Sequence, residues 1–366
     1  MKKILINASN LHVGGGVQVA ASFITELSQI LKEQKINADC SVIVSTSVKR
    51  SLSSEVIYSS FSSFKEINVR GFFLSKDVKQ EFSKYDVVFT VFGPLYTSIK
   101  STRFITGFAQ PWIAYPNNLA FKKLSLLEKI KSRLNFFIKE LYFKKSDALI
   151  VEAEHVRNAL HEKGYTNIFV VSNTVSAVFS NKNLWEDISY VRSERFTLGF
   201  IGRNYDHKNL RILKSVNELL LDEGILCDFL FTLTPEEMRV AGFDTIKNFH
   251  TVGEISVNQC PSFYESIDAV IFPSLLECFS ATPIEAMVMK KILIASDLPF
   301  VTEVCKDSAH YFDPNDVVSI FNTIKGVMDN PISNESIINS AKEIVRDIPS
   351  ARSRAQSYLD ILVDYK

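Results

Sequence analysis

The feature that most constrains this chain is a rhythm of short, continuous apolar runs separated by longer amphipathic stretches. ILIN (4–7), SVIV (41–44), DVVFTV (86–91), FITGFA (104–109), ALIV (148–151) and FVVSN (169–173) form a first series. FTLGFIG (196–202), CDFLFTL (227–233), the weaker NFHTVG (248–253), AVIFPS (269–274) and ILIAS (292–296) form a second. Strands that are apolar throughout, spaced by helical segments, belong to parallel sheets covered on both faces. The polar stretch 181–195 falls between the two series and reads as a linker. The expectation is therefore α/β: two tandem Rossmann-like, doubly wound domains, 1–180 and 196–349, facing an interdomain cleft. Residues 350–366 are expected to form a C-terminal helix that packs back on the N-terminal domain.

A chain of 366 residues is long enough for two such cores. Lys plus Arg and Asp plus Glu balance at 41 each, so nothing global points to nucleic acid, and any basic partner surface must be local. The five cysteines are scattered with no CxxC pair, which argues against a disulfide framework or a structural zinc and suggests a reducing compartment. MKKILINASNLHVGGG starts basic, but its apolar run is too short for a signal peptide, and nowhere do 18 apolar residues run together. A cytoplasmic location is expected.

Ligands of open parallel sheets bind beyond the carboxyl ends of the strands, and three segments there carry chemistry. NASNLHVGGGVQVAASFI follows the first strand. Its glycines, Gly15 and Gly16 among them, either let backbone amides approach an anion at a helix start or simply make a tight turn into a helix over 17–31. The spacing is not GxGxxG, so a dinucleotide fingerprint is weak. GFIGRNYDHKNL ends a strand at Gly202 and places Arg203 and Lys208 around a polar loop before a helix over 209–221. The two cations suit a diphosphate, or are an ordinary solvated loop. LLECFSATPIEAM follows AVIFPS and holds Glu277 and Glu285. Thr282-Pro283-Ile284-Glu285 fits a capping box, which accounts for Glu285 without any ligand. Glu277, five residues before that cap, has no such structural excuse. Cations for a diphosphate and carboxylates for sugar hydroxyls together describe a nucleotide-sugar site.

PSLLECFSATPIEAM, ILIASDLPFVTEV and YFDPND resemble the signature region of glycosyltransferase family 4, retaining enzymes of GT-B architecture. Glu277 and Glu285 meet the E-x7-E spacing, and GRNYDHKN matches the Gly-Arg-x4-Lys loop. ALIVEAEHVRNAL and VVSNTV resemble the end of the family's N-terminal domain. The likeness is strong over 196–316 and looser before. It implies that Arg203 and Lys208 hold the donor diphosphate and steady the departing nucleotide, with Glu285 on the ribose and Glu277 near the reactive carbon. Phe279, Ser280 and Ala281 would support sugar or phosphate, and Gly202, Asn173, Gly15 and Gly16 would complete donor binding, the glycine loop from the opposite, acceptor-side domain. Transfer in this family is described as front-face substitution without a settled covalent nucleophile, and the absence of a DxD motif fits metal-independent chemistry with no cofactor. Where the family reads Glu-Gly-Phe-Gly, this chain has Glu277-Cys278-Phe279-Ser280.

One segment has a strong local charge bias. Between 121 and 145 eight cations face only Glu128 and Glu140, while Leu124, Leu127, Leu134, Phe137 or Ile138, and Leu141 recur at helical spacing. Such a helix either lies on anionic lipid or packs its stripe on the N-terminal sheet. The first reading makes the protein peripheral at the inner membrane face, with a lipid-linked oligosaccharide as acceptor in bacterial surface-polysaccharide (O-antigen or capsule) assembly. The expected function is retaining hexosyl transfer from a UDP- or GDP-sugar. The alternatives are a nucleotide-sugar epimerase of the same architecture and a non-catalytic nucleotide-sugar-binding scaffold.

Overall fold

The computed structural model describes residues 1–71, 74–97, 99 and 102–365. It contains two parallel sheets. The first has seven strands: β1 (Lys2–Ala8), β2 (Ala38–Val44), β3 (Ser63–Glu66), β4 (Val87–Thr90), β5 (Arg103–Gly107), β6 (Ala148–Val151) and β7 (Ile168–Val170), in the order β3-β2-β1-β4-β5-β6-β7. The second has six: β8 (Phe196–Phe200), β9 (Cys227–Phe231), β10 (Phe249–Thr251), β11 (Ala269–Phe272), β12 (Ile292–Ser296) and β13 (His310–Phe312), in the order β10-β9-β8-β11-β12-β13. Strand order reverses beside the first strand of each sheet, between β1 and β4 and between β8 and β11.

Burial explains why these strands are apolar throughout. Side chains alternate across a sheet, and both faces are covered. Ile4 and Ile6 join one core with Phe23, Val42 and Phe89, while Leu5 between them joins another with Ile43, Val88 and Phe104. In the second sheet Phe229 and Phe231 face one core and Leu230 the other. β3 and β13, which the apolar pattern does not announce, are short edge strands.

The chain divides into two compact units. The first comprises residues 1–116, 124–174 and the C-terminal stretch from Pro349; the second comprises Asn117–Lys123 and Val175–Ile348. The polar stretch 181–195 thus counts with the second unit, and the boundary lies at Thr174 rather than 180. Helix Ala351–Asp364 packs in the first unit against helix Gly15–Glu33, with the Tyr358 and Phe23 rings 5.0 Å apart. The basic segment 121–145 is two helices rather than one. Leu119–Lys123 ends before Ser125, which starts Leu126–Phe143 with a capping box closed by Glu128.

Candidate active site

In the second unit the two loops after the switch-point strands β8 and β11 are stapled together. The amide of Leu275, in the loop after β11, donates to the carbonyl of His207, in the loop after β8, at 2.7 Å. One residue further along, Lys208 Nζ donates to Glu277 Oε1 at 2.5 Å. Their side chains are only 13% and 12% exposed, and the ammonium also lies 5.3 Å from the centroid of Phe272, the last residue of β11. Water is largely excluded, so the pair is held in a medium where its field is stronger than in solvent. Local geometry sets this up. Gly202 turns the chain at φ 144, a conformation that favours glycine, and donates its amide to Thr232 Oγ1. A short helical turn over Asp206–Lys208 follows, ending at Asn209 in the left-handed conformation. His207 stacks on Tyr205, and burial, its largest influence, holds the imidazole below its ordinary pKa.

Arg203 belongs to a different set of contacts. Its Nε donates to Glu237 Oε1 at 2.9 Å and its Nη1 lies 3.1 Å from Glu254 Oε1, so the guanidinium is oriented by two carboxylates. Its hydrogen bond to Glu237 is the main cause of a raised pKa. Glu237 also accepts from the amide of Asn204 and closes the capping box of helix Pro235–Ala241 with Thr234.

The helix after Glu277 begins earlier than the capping pattern suggests. It spans Ala281–Val288 with Ser280 as N-cap, whose side chain makes no capping hydrogen bond, and no acidic residue occupies its first turn. Thr282 is therefore already helical and Glu285 lies beyond the first turn. The expected capping box is absent because the helix starts two residues before Pro283. A helix start without a side-chain cap or an acidic first turn favours an anion. Cys278 is buried. Phe279 packs against the core that holds Phe272, Ile284 and Met287, and Ser280 and Ala281 sit at the helix entrance, half-buried. Glu285 accepts from the Tyr264 hydroxyl at 2.7 Å. The carboxyl is enclosed by protein, although part of the residue still meets solvent, and burial pushes its pKa up to about 7.

In the first unit Gly15 is the first residue of helix Gly15–Glu33, whose N-terminus likewise has no side-chain cap and no acidic residue. A Cβ on Gly16 would lie 3.3 Å from a Phe92 ring carbon, so close packing on the loop after β4 favours glycine there. Beside the β1–β4 switch point opens a cavity of about 310 Å³ whose lining includes Asn10, His12, Arg70, Tyr96, Gln110 and Lys139. Burial lowers the pKa of Lys139. Asn173 stands apart from this cavity's lining. It is buried, and its Oδ1 accepts from its neighbour's amide, Thr174, and from Arg354 on the C-terminal helix. A second cavity, of about 430 Å³, lies at the amino ends of β8 to β10. Its buried amides Asn217 and Asn248 satisfy each other, which leaves no buried amide aimed into it.

The structure thus brings Lys208, Glu277 and the helix entrance at Ser280–Ala281 together, with Arg203 positioned by Glu237 and Glu254. Sequence reasoning missed Tyr264, Glu237 and the His207–Leu275 staple. The signal for Glu237 was present, because Thr234-Pro235-Glu236-Glu237 is a capping-box pattern; nothing local announces the other two.

Residues 182–344 match the family described as "Glycosyl transferases group 1". The chain is 27% identical over 168 residues to the O-antigen chain mannosyltransferase RfbU of Salmonella typhimurium, covering 44% of this chain and 46% of that protein. The match thus spans about half the length of that curated relative. Among solved structures, Anabaena Alr3699/HepE in complex with UDP and glucose superposes with a TM-score of 0.72 at 14% identity, over 100% of both chains. Sucrose-phosphate synthase from Thermosynechococcus elongatus gives 0.72 at 13% identity, over 99% of this chain and 98% of that one. A glycosyltransferase from Rickettsia africae gives 0.66 at 16% identity, over 100% of both. At these identities the structural likeness speaks to fold, and the fold of two Rossmann-like units with parallel sheets is the GT-B one expected from the sequence.

Proposed function

We propose that this chain is a retaining, metal-independent glycosyltransferase of family 4 type. It would move a hexosyl unit from a UDP- or GDP-sugar to a lipid-linked oligosaccharide in surface-polysaccharide assembly, at the cytoplasmic face of the membrane. The observation that carries the proposal is the Lys208–Glu277 pair, set at the carboxyl ends of the two switch-point strands beside an uncapped helix N-terminus. In that arrangement Lys208 and the amides around Ala281 meet the donor diphosphate, and Glu277 accepts from the sugar hydroxyls. Glu285, with one oxygen on Tyr264, offers the other to the ribose. The glycosidic carbon–oxygen bond to the diphosphate breaks as the acceptor oxygen bonds to the same face. The acceptor proton passes to the departing phosphate oxygen. The protein's contribution is positioning and fixed charge for the leaving group. Arg203, held by two carboxylates, presents a pre-oriented fork for phosphate. The cavity of the first unit, with Arg70, Lys139 and Gln110, suits an anionic saccharide acceptor. The likeness to an O-antigen mannosyltransferase supports this class of acceptor.

The test is transfer of labelled sugar from nucleotide donors to lipid extracts. Lys208→Ala and Glu277→Ala should each lower turnover by about 10²–10³-fold. Each also leaves a largely buried partner unpaired and should lower the unfolding midpoint, so turnover is compared at a temperature where circular dichroism shows the variant folded. Normal turnover in either variant would defeat the assignment. Sugar interconversion without any acceptor would assign an epimerase instead, and donor binding without transfer a scaffold.

A further inference from the structure

Helix Leu126–Phe143 is turned the unexpected way round. An amphipathic helix of a globular domain normally buries its aliphatic stripe. Here Phe143 alone is fully buried, and the helix is held to the first unit by aromatic residues: Phe136 stacks on Trp112 at 5.7 Å, Tyr142 meets Tyr96 at 5.0 Å, and Phe143 meets Phe108 at 4.8 Å. Six apolar residues face away, while Ile138 is half-buried. Leu126, Leu127, Ile130, Leu134, Phe137 and Leu141 are all exposed, from 45% at Leu141 to 75% at Leu126. At 3.6 residues per turn these six fall within an arc of about 100°. Lys131 lies beyond one edge of the arc and Arg133 beyond the other. The stripe that the sequence offers for the N-terminal sheet is thus not packed on it.

We infer that this face is an interfacial docking surface for an anionic bilayer, with the aliphatic arc inserted among the acyl chains and the flanking cations at the phosphates. Three observations select this occupant. Charge complementarity is the first: Glu140 is offset by Lys144 and Lys163, and Glu128 is engaged by Ser125, which leaves the 121–145 segment strongly cationic. A second copy of this chain would bring two such helices into contact and set like charges against each other. The second is continuity of the arc along the whole helix, about 27 Å at 1.5 Å per residue, as a helix lying in the membrane plane requires. The third is that, among the described residues, no helix is long and apolar enough to cross a membrane, so this one would lie on the bilayer rather than span it. The same helix carries Lys139, on the face opposite the arc, into the lining of the first unit's cavity, so an acceptor held there would lie about one helix diameter from the headgroups. That last consequence rests on the transferase reading; docking itself does not.

The experiment is co-flotation of the full chain with phosphatidylglycerol–phosphatidylcholine vesicles and with phosphatidylcholine alone, together with its Leu127→Ser/Leu134→Ser/Phe137→Ser and Lys131→Gln/Arg133→Gln variants. These positions are exposed, and the circular-dichroism thermal unfolding of each variant, run without ligand, reports that the fold is kept. The wild type should bind anionic vesicles; the aliphatic variant should lose at least about tenfold in partition, and the cation variant a similar amount. No binding by the wild type, or undiminished binding by the aliphatic variant, overturns the inference. So does self-association that the aliphatic substitutions abolish while vesicle binding persists, since the face would then be an interface between copies. Docking without any donor-induced shift leaves this inference standing and defeats the transferase reading; a donor shift without docking does the reverse.

Discussion

Glu237 and Glu285 occupy the same place in a repeated Thr-Pro-x-Glu pattern, yet Glu237 closes a capping box while Glu285 lies past the first turn of its helix and is drawn below the surface. The difference is where each helix starts, and no residue inside the pattern reports that. Glu277 was legible because a carboxylate in an apolar loop is costly without a partner, and its partner is Lys208. Burial raises the Glu285 carboxyl from 4.5 to about 7, and the buried Glu152 shows the same shift, also chiefly from burial. A group whose pKa is higher folded than unfolded keeps its proton in the native state while the unfolded chain releases it. Its stabilising contribution is complete below pH 4.5 and is lost as pH rises through about 7. The unfolding free energy from urea titration should therefore fall between about pH 5 and about pH 8, by on the order of 2 kcal/mol for Glu285. Glu285→Gln should remove that part of the fall and Glu285→Gln/Glu152→Gln both carboxyl contributions, leaving the opposite-signed contribution of His207, whose depressed pKa makes stability rise with pH. An unchanged slope in the double variant would contradict the burial of both carboxyls.

At the scale of elements, the interior strands were readable because burial on both faces makes them largely apolar, with β11 apolar at every position. β3 and β13 were not, because an edge strand pairs on one side and need not be apolar: SFKE in β3 has no buried residue. The basic helix shows the opposite failure. Its periodicity was plain, but periodicity fixes only which residues share a face, and the aromatic contacts of Phe136, Tyr142 and Phe143 decide which face turns inward. The helix Pro235–Ala241 links stability to the site, since its N3 carboxylate also orients Arg203. Thr234→Ala removes one side of that capping box and should cost about 1 kcal/mol in chemical denaturation, with a modest rise in donor KM as Glu237 loses its anchor. A variant as stable as the parent would show that the cap is made in name only.

For the molecule as a whole, two series of apolar runs sufficed to indicate two doubly wound sheets, and the switch points then located the loops that matter. The unit boundaries were less legible. Asn117–Lys123 groups with the second unit, and a C-terminal helix closes the first through Arg354, contacts made at long sequence separation that no local pattern encodes. The central claim is that the Lys208–Glu277 site of the second unit binds a nucleotide-sugar diphosphate. It is tested most directly by thermal unfolding of the wild type and of Lys208→Ala against UDP- and GDP-sugars. A ligand of the native state at a hundred times its Kd adds about 2.7 kcal/mol. One nucleotide class should raise the wild-type Tm by several degrees, and Lys208→Ala should lose most of that rise. A wild type indifferent to every nucleotide sugar, or a variant that keeps the full shift, would contradict it.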